Sequence, residues 1–105
     1  MNPNIRIGHG YDCHRLALPP EGGPLVLGGL HLEHEMGPVA HSDGDALLHA
    51  VTDAVLGAVG LDDLGTQFPD NDPRWQGASS DQFLREAILQ AQKLGWKVSN
   101  VDATV

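Results

Sequence analysis

The sequence predicts an α+β domain in which a small mixed β-sheet carries helices packed on one of its faces. Three observations lead to this prediction. Segments with alternating apolar residues lie at both ends of the 105-residue chain, a hairpin pattern follows the first of them, and two stretches of helical periodicity lie in between. The element order is therefore strand, hairpin, helix, helix and strand. The length is suited to one domain, over residues 1–105.

The predicted strands of the first half are short. Residues 5–11 alternate apolar side chains with glycine and arginine, which predicts a strand thinned by glycine. Residues 25–27 and 30–32 are rich in leucine and valine, and they flank Gly28-Gly29. Two glycines between two apolar runs predict a hairpin with a two-residue turn.

Two helices are predicted in the second half. The first opens at Ser42, which with Asp45 resembles a capping box, and Gly60 is a suitable stop. The second covers residues 80–94 and is closed by Gly95.

The segments around the second helix complete the prediction. Residues 62–74 are rich in Asp and Pro, which predicts a loop with about one helical turn. Residues 97–105 alternate imperfectly and predict a last strand. Because that strand coincides with the end of the chain, we expect a fold that is cut short.

Composition limits the classes of partner. The net charge of −8 disfavours nucleic acid and anionic membranes, although bound cations would still allow a phosphorylated ligand. A hydrophobic fraction of 41% is ordinary for a folded protein. The single cysteine excludes an internal disulfide, and neither an export signal nor a membrane span is visible. We therefore expect a cytoplasmic protein.

Acidic and imidazole side chains suggest a metal site. Asp12 and His14 are two positions apart, so both would point to one side of a strand. An oxygen and an imidazole suit zinc or a similar transition metal. Such a triplet alone is more often a surface turn. His49 lies on the first predicted helix with Asp45 and Asp53 one turn away on either side, and either carboxylate could orient its second ring nitrogen. The alternative is a helix histidine that pairs with aspartate for stability.

Two further features could serve a phosphorylated polyol. His41 and Ser42 precede the first helix, where a phosphate would meet free backbone N–H groups and His41 could donate to a phosphoryl oxygen. From spacing alone, a solvated loop histidine is an equal alternative. The acidic segments at 62–65 and 68–73 could bind sugar hydroxyls or magnesium, but usually such segments are only solvated turns.

Taken in order, these segments resemble the 2-C-methyl-D-erythritol 2,4-cyclodiphosphate synthase family across nearly the whole chain. Several multi-residue blocks in one order make the resemblance specific. The blocks are Arg6-Ile7-Gly8-His9-Gly10-Tyr11-Asp12-Cys13-His14, His41-Ser42-Asp43-Gly44-Asp45 with His49, Asp63-Leu64-Gly65, Phe68-Pro69-Asp70-Asn71-Asp72-Pro73 and Asn100-Val101-Asp102.

The resemblance implies a zinc centre and a reaction. Asp12, His14 and His49 would be the ligands, with a fourth position open to substrate phosphate. His41 would stabilise the transition state, and Ser42 would contact substrate. A second cation, magnesium or manganese, would shield the diphosphate. The methylerythritol and phosphate portion would be bound by Asp63, Leu64, Gly65, Phe68, Pro69, Asp70, Asn71 and Asp72.

The implied reaction belongs to non-mevalonate isoprenoid precursor synthesis. A phosphorus–oxygen lyase of this family converts 4-diphosphocytidyl-2-C-methyl-D-erythritol 2-phosphate to the 2,4-cyclodiphosphate and releases CMP. The family forms homotrimers with sheets around a central axis, and its domain continues beyond the length of this chain. We therefore expect a single domain that is incomplete at its C-terminus. One alternative is an inactive zinc- or phosphate-binding fragment, and another is a magnesium-dependent phosphohydrolase, which the imidazole-rich site disfavours.

Overall fold

Two long helices form the centre of the fold in the computed structural model, which describes residues 4–105. Helix α1 spans Ala46–Ala58. A short helix α2 (Leu64–Gln67) and a 3₁₀ turn (Pro73–Trp75) follow, and helix α3 spans Asp81–Lys93. Both predicted amphipathic helices are confirmed, and α2 is the helical turn expected in the acidic segment. Within residues 4–105, no helix combines the length and the apolar character that a membrane span requires.

The core lies between α1 and α3. Val55 and Leu56 of α1 pack against Ala87 and Ala91 of α3, and all four side chains are buried. The alanines on α3 leave room for the larger side chains of α1. Because Leu56 is fully buried, its truncation to alanine is expected to cost about 2–5 kcal/mol. This packed helix pair is the base against which the loops of the candidate site lie.

The cap of α1 differs from the predicted one. Asp45 is the N-cap, and its carboxylate accepts the Leu48 N–H at 3.0 Å. The prediction that the helix opens at Ser42 is therefore wrong, because the carboxylate of Asp45 reaches the orphan N–H groups of the first turn. The predicted stops are confirmed. Gly60 and Gly95 both have positive φ, at 76° and 88°, which glycine adopts without steric cost.

The strands form two separate antiparallel pairs instead of the single mixed sheet that was predicted. Strand β1 (Leu16–Ala17) pairs with β4 (Gly37–Pro38), and β2 (Leu25–Leu27) pairs with β3 (Leu30–Leu32). The second pair confirms the predicted hairpin, and its Gly28-Gly29 turn has φ values of 62° and 81°. With three helices and four short strands in the described residues, the α+β class is confirmed.

The two predicted terminal strands do not form. Residues 5–11 and 97–105 are irregular and have no ladder partner among residues 4–105. A strand requires hydrogen bonds from a neighbouring strand, and alternation alone cannot supply them. Their apolar side chains are correspondingly exposed, for example Ile7 at 89% and Val105 at 84%. One domain over residues 1–105 stays a prediction, and residues 1–3 lie outside the described part.

Residues 5–11 instead cross helix α1 in direct backbone contact. A Cβ atom on Gly8 would lie 1.8 Å from the carbonyl oxygen of Ala54, and one on Gly10 would lie 1.7 Å from that of Ala50. No side chain fits at either distance, so both positions require glycine. The close approach brings the residues that follow Gly10 to the first turns of α1.

Candidate metal centre

Asp12, His14 and His49 converge on one point. One ligand atom from each lies within 4.8 Å of the others. Asp12 Oδ2 is 2.8 Å from His14 Nε2 and 3.2 Å from His49 Nδ1, and the two imidazole nitrogens are 3.2 Å apart. The structure thus brings side chains from two separate segments to one point.

Local structure explains the convergence. Asp12 and His14 follow the glycine crossing of α1, and both are half-buried, whereas Cys13 between them is exposed. His49 lies in the first turns of α1 and is 6% exposed. Its ring packs 5.9 Å from that of Phe83, between ring centroids. His49 is therefore held between α1 and α3, and Asp12 and His14 contact its ring from the segment that follows the glycine crossing.

The donor set fits a divalent metal ion. A carboxylate oxygen and two imidazole nitrogens present electron pairs to one point, and such a set is typical of zinc and related transition metals. Three protein ligands leave a coordination position for an exogenous oxygen, as in catalytic sites. The described residues could thus hold a divalent ion at Asp12, His14 and His49.

A cavity of about 230 Å³ opens beside these three side chains. His41, Ser42, Leu64, Phe68 and Asp70 contribute to its wall. Among the described residues that line it there is no lysine or arginine. A phosphorylated ligand in this cavity would therefore need bound cations to neutralise its charge, as the net charge of the chain already suggested.

The acidic segment reaches the cavity only in part. Of the predicted binding residues, Leu64, Phe68 and Asp70 line the wall. The ring of Phe68 is also a core element, because it packs edge-to-face against Trp75 and at a tilt against Phe83, with ring centroids 5.2 and 4.7 Å away. The remaining predicted binding residues do not line the wall. They are Asp63, Gly65, Pro69, Asn71 and Asp72.

Asp63 and Asp72 have local structural roles. Asp63 caps α2, and its hydrogen bonds with Thr66 hold the pKa of the carboxyl below its ordinary value of 3.8. Asp72 caps the 3₁₀ turn, and hydrogen bonds from Arg74 lower its pKa in the same way. Both carboxylates are therefore ionised at neutral pH and fix the shape of the loop.

His41, which lines the cavity, is hydrogen-bonded to this loop. Its Nε2–H donates to the carbonyl oxygen of Asp72 at 3.0 Å, because a carbonyl can only accept. The carbonyl of His41 in turn accepts the Gly77 N–H at 2.7 Å. The donor that was expected to face a phosphoryl oxygen is therefore engaged with the loop.

The predicted partners of His49 are elsewhere. Asp45 accepts the N–H groups of Gly28 and Gly29 at 2.9 and 2.7 Å, and Asp53 accepts the Leu64 N–H at 2.7 Å. Neither carboxylate orients His49 in this structure, so that interpretation is wrong. Instead, Asp45 anchors the hairpin to α1 and Asp53 anchors the acidic segment. Because Asp45 fills the helix N-terminus, a phosphate is not expected there.

Ser80 and Asp43 contact the site and were missed. Ser80 Oγ lies 2.7 Å from His49 Nε2, and its hydroxyl donates to the carboxylate of Asp43. Ser42 Oγ lies further from the same nitrogen, at 3.2 Å. In the sequence Ser80 only marked the start of a helix, and no spacing rule links it to His49. Its side chain in fact makes no cap hydrogen bond.

Comparisons with known proteins agree with the geometry. The YgbB family profile matches residues 5–105. The 2-C-methyl-D-erythritol 2,4-cyclodiphosphate synthase of Bordetella avium is 55% identical over the whole chain, which spans 63% of that relative.

Two solved structures of 2C-methyl-D-erythritol-2,4-cyclodiphosphate synthase are also similar. One superposes with a TM-score of 0.77 at 53% identity, over 86% of this chain and 58% of the other. The second, described as a CDP-bound form, gives 0.76 at 52% identity over the same shares. The chain thus spans about three fifths of the length of these proteins.

Proposed function

The chain belongs to the YgbB family, and from this premise we propose that, within a protein of its relatives' full length, it takes part in the reaction of a 2-C-methyl-D-erythritol 2,4-cyclodiphosphate synthase. The observation that supports the proposal most is the convergence of Asp12, His14 and His49 at the edge of the cavity. The substrate would be 4-diphosphocytidyl-2-C-methyl-D-erythritol 2-phosphate, in the non-mevalonate isoprenoid precursor pathway. The CDP-bound form of a similar structure supports a ligand with a cytidine diphosphate group.

The reaction is an internal phosphoryl transfer. An oxygen of the 2-phosphate forms a bond to the β-phosphorus, and the bond from that phosphorus to the bridging oxygen breaks. The electron pair leaves with CMP, and the cyclic diphosphate remains. No water is consumed and nothing is oxidised, so the protein is a phosphorus–oxygen lyase. Such a transfer depends on positioning and charge neutralisation more than on covalent catalysis.

Zinc is the metal that we propose for Asp12, His14 and His49, with magnesium or manganese on the substrate diphosphate. When bound, these ions would supply the Lewis acidity and positive charge that the cavity lacks. The role of the chain is to hold the three ligand atoms in one arrangement around the ion. Burial of His49 at 6% exposure serves this purpose.

His41 and Ser42 are the proposed phosphate contacts. Both line the cavity beside the ligands. His41 Nε2–H, which donates to the Asp72 carbonyl in this structure, can exchange that acceptor for a phosphoryl oxygen of the substrate. An oxygen that gains charge in the transition state is the stronger acceptor, so the exchange would favour the transition state over the ground state.

The acidic segment is the proposed site of the methylerythritol and phosphate portion. Leu64, Phe68 and Asp70 support this, because they line the cavity. For the neighbouring predicted residues we propose contacts at the outer rim of the same site. Those residues are Asp63, Gly65, Pro69, Asn71 and Asp72.

We propose a homotrimer in the cytoplasm, with neither nucleic acid nor membrane as a partner. Residues 5–11 have no strand partner among residues 4–105, and their exposed apolar side chains, such as Ile5 at 77% and Ile7 at 89%, form a surface that an assembly could cover. The net charge of −8 supports the exclusion of polyanionic partners. Sedimentation velocity tests the assembly, and a monomer throughout a dilution series would contradict it.

The metal assignment is tested by zinc binding. Wild-type protein, the double variant Asp12→Ala/His49→Ala and the control His31→Ala are dialysed against zinc, and bound metal is measured. His31 is an exposed histidine on β3, away from the centre. We expect wild type and the control to retain zinc and the double variant to lose it. Zinc retained by the double variant would refute the assignment.

An inactive zinc- and phosphate-binding fragment is the second candidate. The observation that favours it is that the chain spans 63% of the Bordetella avium relative. Release of CMP from the cytidyl substrate, with zinc and magnesium present, separates the two. We expect turnover by a protein of the relatives' full length and little turnover by these 105 residues alone. Robust release by the 105-residue chain would exclude the fragment.

A further inference from the structure

The far side of the His49 ring carries a hydrogen-bond chain that the proposed reaction does not use. Nε2 lies 2.7 Å from Ser80 Oγ, and the Ser80 hydroxyl donates to Asp43 Oδ1. The other oxygen of Asp43 accepts the Ser80 N–H at 3.0 Å. Ser80 is fully buried and His49 nearly so, which shields the contact between them from water, whereas Asp43 is half-buried.

Counting donors and acceptors fixes the direction of this chain. An ionised carboxylate only accepts, so the single hydroxyl proton of Ser80 points to Asp43. Ser80 therefore presents a lone pair to His49 Nε2, so this nitrogen carries the ring proton in the shorter of its two serine contacts, and Ser42 Oγ at 3.2 Å is a second acceptor for it. The unprotonated nitrogen of neutral His49 is then Nδ1. This atom lies 3.2 Å from Asp12 Oδ2 and 3.2 Å from His14 Nε2. In the zinc-free protein the Asp12 carboxylate is itself an acceptor for a proton on Nδ1, so the Ser80–Asp43 chain acts against that contact.

We propose that Ser80 and Asp43 are positioning residues that hold His49 in the tautomer with a free Nδ1 lone pair toward the cation site. The inference rests on the metal centre of the proposed function. A histidine that binds a metal through one nitrogen is commonly oriented by a hydrogen bond from the other. Here the buried Ser80 hydroxyl donates to the Asp43 carboxylate, and its oxygen is thereby oriented to accept the proton on His49 Nε2. Removing the serine hydroxyl frees the ring to change tautomer or rotate.

Zinc affinity tests this role, with the zinc ion alone as the probe. The variants are Ser80→Ala and the control Ser79→Ala, whose exposed hydroxyl donates to Asp81 and does not touch the centre. Dissociation constants come from competition with a chromophoric chelator, and circular dichroism monitors folding. We expect Ser80→Ala to weaken zinc binding about 10–100-fold and Ser79→Ala to leave it unchanged.

A spectroscopic measurement on wild type supplies the second readout. Nitrogen-15 NMR of the zinc-free protein, well above the ordinary histidine pKa of about 6.5, reports which nitrogen of His49 is protonated. We expect the proton on Nε2. A proton on Nδ1 would overturn the proposal even if Ser80→Ala does not fold.

The results distinguish the metal centre from the positioning role of Ser80. Failure of wild type to bind zinc would refute the metal centre itself. If wild type binds zinc and folded Ser80→Ala binds it equally well, the metal centre stands and the positioning role is refuted.

Discussion

Replacing Asp45 by alanine should be one of the most destabilising single changes near the site. The carboxylate is fully buried and accepts three backbone N–H groups, from Leu48, Gly28 and Gly29, at 3.0, 2.9 and 2.7 Å. Loss of a helix N-cap costs about 1 kcal/mol. Each hairpin N–H that loses its partner without full access to water adds about 1–3 kcal/mol. The expected loss in the free energy of unfolding is therefore about 3–7 kcal/mol.

Urea unfolding followed by circular dichroism measures this loss. Small domains have m values of about 1–3 kcal/mol/M in urea, so the midpoint should fall by at least about 1 M. Asp45→Asn is the matched control. It keeps the side-chain size and one acceptor oxygen, so its loss should be smaller than that of Asp45→Ala. An m value equal to that of wild type would show that the change acts on the folded state.

Two results would refute this reasoning. A loss below about 1 kcal/mol for Asp45→Ala would mean that water replaces the carboxylate at all three N–H groups. Equal losses for the alanine and asparagine variants would mean that the charge, and not the number of acceptors, holds the hairpin on α1.

Three further predictions concern the backbone, pH and metal. Gly10→Ala should destabilise the protein and weaken zinc binding, because its Cβ would lie 1.7 Å from the Ala50 oxygen. Gly57→Ala, at a position in α1 with open space around it, should instead stabilise the protein by up to about 1 kcal/mol. Chemical unfolding of both variants measures these changes. Hydrogen bonds from Thr66 lower the pKa of Asp63 below 3.8 in the folded protein. The stability difference between wild type and Asp63→Asn should therefore be complete above pH 3.8 and shrink as the pH falls through the lower pKa of the folded state. A difference that does not change with pH in urea titrations would contradict this prediction. Zinc at 100 times its dissociation constant should stabilise the native state by about 2.7 kcal/mol, and a melting temperature that zinc leaves unchanged would argue against native-state binding.

Features set by neighbouring residues could be predicted from the sequence. The Gly28-Gly29 turn and the glycine stops at Gly60 and Gly95 follow from the backbone freedom of glycine, and all three were confirmed. The shared side of Asp12 and His14 follows from their spacing of two, although the strand that was assumed for them does not form. Local chemistry was therefore sufficient for the turns, the helices and two of the three candidate ligands.

Features set by distant partners could not be predicted. Ser80 and His49 are 31 positions apart, and no periodicity relates a helix start to an imidazole on another helix. Asp53 was placed correctly on α1, whereas Asp45 is its N-cap, and which backbone N–H groups each carboxylate accepts depends on how the hairpin and the acidic segment fold back. The two-residue strands β1 and β4 are too short to leave any alternation in the sequence.

The crossing of residues 5–11 over α1 fixes the distance between two segments of the candidate site. Gly8 and Gly10 let the two main chains meet at the limit of atomic contact, so no side chain intervenes between the segment that carries Asp12 and the helix that carries His49. Side-chain substitutions elsewhere in the core can alter stability while this separation stays constant. The distance between the ligands on the two segments therefore does not depend on the size of the other core side chains. Substitutions at Gly8 or Gly10 are the ones that would change it.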